Sequence, residues 1–98
     1  ERNYDIGLRL QTVDKNIAQY FKLTNVSGAI VVNVEKGSAA DNEGIKPEDI
    51  ILSINGEKIA SDADFWGLIL DMKIGEKVKL KILRAGSEIE KEFELKVK

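Results

Sequence analysis

The stretch 44–59, Gly44-Ile45-Lys46-Pro47-Glu48-Asp49-Ile50-Ile51-Leu52-Ser53-Ile54-Asn55-Gly56-Glu57-Lys58-Ile59, constrains the fold more than any other part of the chain. A helix stop, a proline turn, a buried strand and a hairpin turn follow one another in it without a gap. Gly44 accepts the left-handed conformation that ends a helix, and Ile45 is then free to tuck back onto a core. Pro47 with Glu48 and Asp49 makes a turn. The apolar run that follows, Ile50-Ile51-Leu52-Ser53-Ile54, suits a buried strand, and Asn55-Gly56 is the strongest short hairpin signal in the sequence, with a return strand over 58–59.

The flanking segments extend this pattern. Leu8, Leu10 and Thr12 alternate with Arg9, Gln11 and Val13, which predicts a strand over 8–13 entered through a turn at Gly7. Asp14 is placed to cap a helix over 15–21 that stops near Leu23. After a turn over 25–28, the β-branched run 29–34 predicts a buried strand, expected at the centre of the sheet. Ser38 caps a short helical segment ending at Gly44. Ser61 caps a longer helix over 62–72, with Asp62 and Asp64 in the first turn, where the macrodipole favours anions. Phe65, Leu68, Ile69 and Met72 share one face of it, and Trp66 sits one position away. Val78, Leu80 and Ile82 alternate with lysines before Ala85-Gly86, and Ile89, Phe93, Leu95 and Val97 continue the alternation, which predicts a terminal antiparallel hairpin.

Composition narrows what such a domain does. A chain of 98 residues that is 43% hydrophobic can build one core but not two. It holds no Cys and no His, which removes disulfides, thiolate metal sites, the usual general base and the commonest zinc ligand. Ser53 and Ser61 have no base to activate them, so the expectation is a module that is not itself an enzyme, with no cofactor and no metal. The glutamates at 88, 90, 92 and 94 read as the solvated face of a strand. Fifteen Lys and Arg against 17 Asp and Glu, a net charge of −2 with the signs interleaved, do not recommend nucleic acid or an anionic membrane surface as partner. There is no apolar run near the ~20 residues needed to cross a bilayer, so direct membrane insertion is not expected.

The 44–59 stretch resembles the corresponding part of bacterial PDZ domains, with their Gly-apolar-x-x-x-Asp-apolar-Ile run ending in an Asn-Gly turn, and the resemblance extends from Ile6-Gly7-Leu8 to the last hairpin. It implies an α+β fold for a single domain over 1–98: a PDZ-like, partly open β-barrel of five or six strands with two helices, in the permuted arrangement of HtrA-type proteases. Asp5-Ile6-Gly7-Leu8 falls where PDZ domains carry their carboxylate-binding loop and looks most like the Tyr-Ile-Gly-Ile loops of HtrA-type, or protease Do, serine proteases. A peptide's terminal carboxylate wants several convergent backbone N–H groups, and a glycine removes the Cβ that would obstruct the turn.

The resemblance implies recognition of extended C-terminal or unfolded peptides, added as one more strand along 8–13, with the Ser61 helix as the other wall. The residues expected at this site are Tyr4, Asp5, Ile6, Gly7, Leu8, Arg9 and Leu10 on the loop and strand, and Asp64, Leu68 and Met72 on the helix. Leu68 is expected in the groove and Ile69 in the core. Asp5 is expected to repel a peptide carboxylate unless it points outward, and Gly7→Val is expected to block the carboxylate site without disturbing the fold. The implied setting is extracytoplasmic, in the periplasm or cell envelope, beside the protease domain of the same chain. The alternatives are a PDZ module of a site-2 metalloprotease or of a C-terminal processing protease, or a structural docking domain with an unused groove.

Overall fold

In the computed structural model, which describes residues 4–23 and 27–97, the chain runs through β1 (Leu8–Thr12), α1 (Lys15–Tyr20), β2 (Ala29–Val34), α2 (Ala39–Asn42), β3 (Ile50–Ile54), β4 (Glu57–Lys58), α3 (Asp62–Leu70), β5 (Lys77–Arg84) and β6 (Ser87–Glu94). The three expected caps are all in place. Asp14, Ser38 and Ser61 each accept, through the side chain, from the amide three residues on: Ile17, Asp41 and Asp64. The turn expected over 25–28 begins among residues outside the described ones. α3 ends at Leu70, two residues short of the expected 72, because Asp71 closes the last turn by donating to Leu68 O and Ile69 O.

The strands form one antiparallel sheet in the order β1-β2-β3-β5-β6, with β4 paired to β3 off this path. The 29–34 strand is therefore not central, as its apolar run predicts; β3 holds the middle. Ala29, Ile30 and Val31 are buried because the sheet is covered on both faces. On one face lies the main core, built on Ile6, Ile51, Ile54, Phe65, Ile69, Leu80 and Ile82 among others. On the other face, Val13, Ile30 and Ile50 pack with Ile17, Ala18 and Phe21 from around α1. Tyr4 bridges to Val97, and the Asp5 amide donates to Lys96 O at 2.8 Å, so the two ends of the sheet meet at one corner. The result is an open barrel with β1 left as an edge.

Register slips between Arg9 and Leu10, leaving Val32 of β2 without a partner; such a bulge bends the edge strand. Two tight hairpins set the remaining registers. In both, the two turn residues lie in the left-handed region: Asn55 (φ 51°) with Gly56 (85°), and Ala85 (49°) with Gly86 (84°). Asn55 also ties the first hairpin to β5, its amide donating to Lys79 O and its Oδ1 accepting from Lys79 N, both at 2.8 Å.

A buried carboxylate joins three elements beneath β3. Asp49, 2% exposed, takes a fork from Arg84, with Nε to Oδ1 at 2.8 Å and Nη2 to Oδ2 at 2.6 Å, and its Oδ2 also accepts from Lys46 N at 2.9 Å. Nη2 of the same guanidinium donates to Gly44 O at 2.8 Å, so the helix-stop glycine and the strand β5 hold the proline turn between them. The hydrogen bonds to Asp49 raise the Arg84 pKa above its ordinary value; burial opposes this and the Asp49 charge adds to it. A raised arginine pKa keeps the cation charged at every working pH, so the pair is not lost by titrating the guanidinium.

Two substitutions test these assignments by urea unfolding. Asp49→Asn leaves the guanidinium without its anion and is expected to cost about 3 kcal/mol, whereas Arg84→Lys, which keeps the charge but loses the fork, is expected to cost about half as much. Ala85→Asn places a residue that tolerates the left-handed region into a turn of the Asn-Gly type and is expected to add about 1 kcal/mol of stability.

Candidate functional site

Strand alternation divides β1 cleanly. Leu8, Leu10 and Thr12 are half-buried and Arg9 and Gln11 are exposed. Leu8 and Leu10 pack against the main core, as do Leu68 and Trp66 of α3, and α3 itself packs on β1. α3 and β1 therefore lie side by side, with the turn at Gly7 leading into β1.

That turn is held from behind. The Ala40 amide donates to Ile6 O at 3.1 Å and the Glu35 amide to Gly7 O at 2.8 Å. Among the described residues, the Ile6 and Gly7 amides donate no hydrogen bond. Both carbonyls of the turn are thus engaged with the segment around α2, while its amides have no acceptor among the described residues. Gly7 has φ 78°, and a Cβ built on it would lie 2.2 Å from both Cβ and Oγ of Ser38. The glycine is therefore required by its packing on Ser38, which is itself buried, caps α2 and donates to Glu35 O at 2.7 Å.

This corrects one expectation. A side chain at position 7 meets Ser38 behind the loop and not a carboxylate in front of it, so Gly7→Val does not leave the fold intact. Both the clash and the left-handed backbone oppose it, and the expected loss in urea unfolding is at least about 2 kcal/mol. Ser38→Ala, which gives up a helix cap and opens no clash, is expected to cost about 1 kcal/mol.

The other expected site residues fall into distinct groups. Asp5 turns its carboxylate to the start of α2, where Oδ1 accepts from Ala39 N at 3.2 Å; it supports the loop from the side. Ile6 and Met72 are core residues, 2% and 8% exposed, so their side chains pack inside the main core. Leu68 is half-buried while Ile69 is 1% exposed, the register expected from the helical face. Arg9 is exposed on the other face of β1 and, with Gly7, Leu8, Asn33 and Glu35, lines a shallow cleft of about 380 Å³. Asp64 is exposed at the start of α3 and its Oδ2 accepts from Ala60 N at 2.9 Å, reciprocating the bond from its own amide to Ser61. Trp66 stands edge-on to Phe65, with ring centroids 4.8 Å apart.

The end of β1 away from Gly7 holds a feature that local sequence signals do not reveal. Thr12 Oγ1 donates to Asp62 Oδ1 at 2.8 Å and accepts from Asp62 N at 3.1 Å, linking the last residue of β1 to the first of α3. Residues 50 positions apart carry no periodicity or spacing that could announce the contact.

Comparison with known proteins agrees with this architecture. The family model described as PDZ domain matches residues 4–97. The chain is 36% identical over 90 residues to a probable periplasmic serine endoprotease DegP-like from Hahella chejuensis, covering 92% of this chain and 19% of that protein. It is 39% identical over 85 residues to the protein of the same name from Chlamydia pneumoniae, covering 87% of this chain and 17% of that one. The chain thus spans under a fifth of the length of these curated relatives. Among solved structures, the HtrA3 PDZ domain bound to a phage-derived ligand (FGRWV) matches with a TM-score of 0.84 at 20% identity, over 98% of this chain and 88% of that one. The HtrA-type protease AlgW with decapeptide matches with the same TM-score and identity, over 98% of this chain and 30% of that one. With the family model spanning nearly all of the sequence and these folds superposing on its open sheet of six strands, the chain belongs to the PDZ domain family.

Proposed function

We propose that the groove between β1 and α3 binds extended C-terminal peptides by strand addition, with the terminal carboxylate at the Gly7 turn. The observation that carries this reading is the turn's division of labour: the carbonyls of Ile6 and Gly7 are anchored, and their amides donate to no described residue. Backbone N–H groups converging at a turn suit an anion, and bonds to a charged acceptor contribute about 1.5 to 3 kcal/mol each. Asp5 does not stand against this, because its carboxylate is engaged by Ala39 N.

The sheet's other edge is a poor competitor. β6 carries Glu88, Glu90, Glu92 and Glu94, a row that repels an anionic terminus and discourages strand addition in general. β1 offers Leu8 and Leu10 opposite Leu68, and burying one aliphatic terminal side chain there contributes roughly 1.5 to 3 kcal/mol. Set against the cost of ordering a free peptide, the expected Kd is about micromolar.

The names of the curated relatives support a wider setting. Both are probable periplasmic serine endoproteases, and the two structural matches hold a peptide or a phage-derived ligand. On this reading the domain is the substrate-recognition or regulatory part of a periplasmic serine protease, delivering clients to a catalytic domain of the same chain. The serine nucleophile of these relatives favours that setting over a metalloprotease, and their DegP-like names favour it over a C-terminal processing protease.

Titrating the chain with an apolar peptide while following amide chemical shifts tests the docking site. Shifts should be confined to residues 6–12 and 62–72 and should vanish when the peptide terminus is amidated. A groove that stays silent across a peptide library, or a response indifferent to amidation, overturns the proposal.

A further inference from the structure

We infer that the reciprocal pair formed by Thr12 and Asp62 is a positioning latch that sets the width of the groove, and thereby which side chains it accepts two residues before the peptide terminus. The inference rests on the peptide-docking reading above.

The pair is built so that only one kind of side chain completes it. Thr12 Oγ1 donates to Asp62 Oδ1 (2.8 Å) and accepts from Asp62 N (3.1 Å), so position 12 needs an atom that is donor and acceptor at once, which a hydroxyl is. Asp62 Oδ1 also accepts from Ala63 N at 2.9 Å, which fixes the carboxylate's own orientation. Asp62 N is one of the first-turn amides that a helix leaves unpaired, and Ser61 satisfies a different one, that of Asp64. The edge strand thus supplies part of the helix's cap, and the two groove walls share a joint.

Its position determines its consequence. A peptide adding antiparallel to β1 with its carboxylate at Gly7 presents alternate side chains to the face that holds Leu8, Leu10 and Thr12. The terminal side chain lies by Leu8, the third from the end by Leu10, and the fifth reaches Thr12, about 13 Å along the strand from Leu8. Further along, Phe65 and Ile69 hold the helix in the main core, with Met72 just past its end. The third side chain therefore enters midway between two fixed points, where α3 cannot swing away from β1 to admit bulk. The latch acts through the wall and not by touching the ligand.

The test uses free-carboxylate pentapeptides that differ only in Ala or Phe at the third residue from the end, with affinities measured by calorimetry on the unaltered chain and its variants. The unaltered chain should favour Ala by about tenfold, the scale on which a shaped apolar site discriminates size. Thr12→Val and Asp62→Ala should each reduce that ratio to about twofold. Thr12→Ser and Asp62→Asn keep the required oxygen and should keep the ratio, a rescue that neither a general loss of stability nor loss of the Asp62 charge predicts. Unchanged discrimination in Thr12→Val and Asp62→Ala overturns the latch, as does equal affinity of the unaltered chain for the two peptides, or an Asp62→Asn variant that loses the ratio. If the unaltered chain binds neither peptide, the docking reading falls and the latch falls with it; binding with unaltered discrimination in the variants removes the latch alone.

Discussion

The backbone at Ile6 and Gly7 can hold its turn only because Ser38 leaves room for a hydrogen and nothing larger at position 7. That close approach aligns Ile6 O with Ala40 N and Gly7 O with Glu35 N, so the loop is seated on the segment around α2. A backbone loop normally costs conformational entropy to order. Here the ordering is done by contacts behind the loop, and its Ile6 and Gly7 amides find no acceptor among the described residues. The seat in turn depends on α2 starting where it does, which Ser38 secures as cap and Asp5 secures by taking the Ala39 amide.

The two edges of the sheet are treated oppositely, and the difference follows from what lies over each face. β1 bends at the Arg9–Leu10 bulge and sends its leucines toward α3, giving an edge with an apolar flank. β6 lies opposite β5 in a register that sets Lys77 across from Glu94, Lys79 from Glu92 and Lys81 from Glu90. These pairs sit on an exposed face and contribute little to stability, but a row of charges along an edge discourages a second chain from pairing with it. One edge is open and apolar, the other open and charged.

Much of the architecture was legible in the chain because its signals are local. Asp14, Ser38 and Ser61 each act on an amide three residues away, and Asn55-Gly56 sets a hairpin by its own backbone preferences. The alternation of β1 and the Leu68–Ile69 register likewise depend only on the period of their own elements. What could not be read joins distant residues: Asp5 to Ala39, Asp49 to Arg84 and Thr12 to Asp62. The central placing of 29–34 failed for a related reason. A strand buried on both faces looks the same whether helices or further strands surround it, and here α1 supplies the second cover.

Asp5, Asp64 and Asp62 show how this affects the site. From sequence, Asp5 is expected to repel a peptide carboxylate unless it points outward, Asp64 to belong to the peptide site, and Asp62 to sit in the helix's first turn, where the macrodipole favours anions. In the fold every one of them accepts from a backbone amide at or just before the start of a helix: Asp5 from Ala39, Asp64 from Ala60 and Asp62 from Ala63. A carboxylate oxygen already bonded to the scaffold and held by it attracts a ligand cation less than a free one does. On the proposed peptide-docking reading, selectivity would come chiefly from shape, from the spacing of Leu8, Leu10 and Leu68, and from whatever holds α3 at its distance from β1. On the same reading the acidic residues would act on recognition by fixing the helix starts, through the amides of Ala39, Ala60 and Ala63.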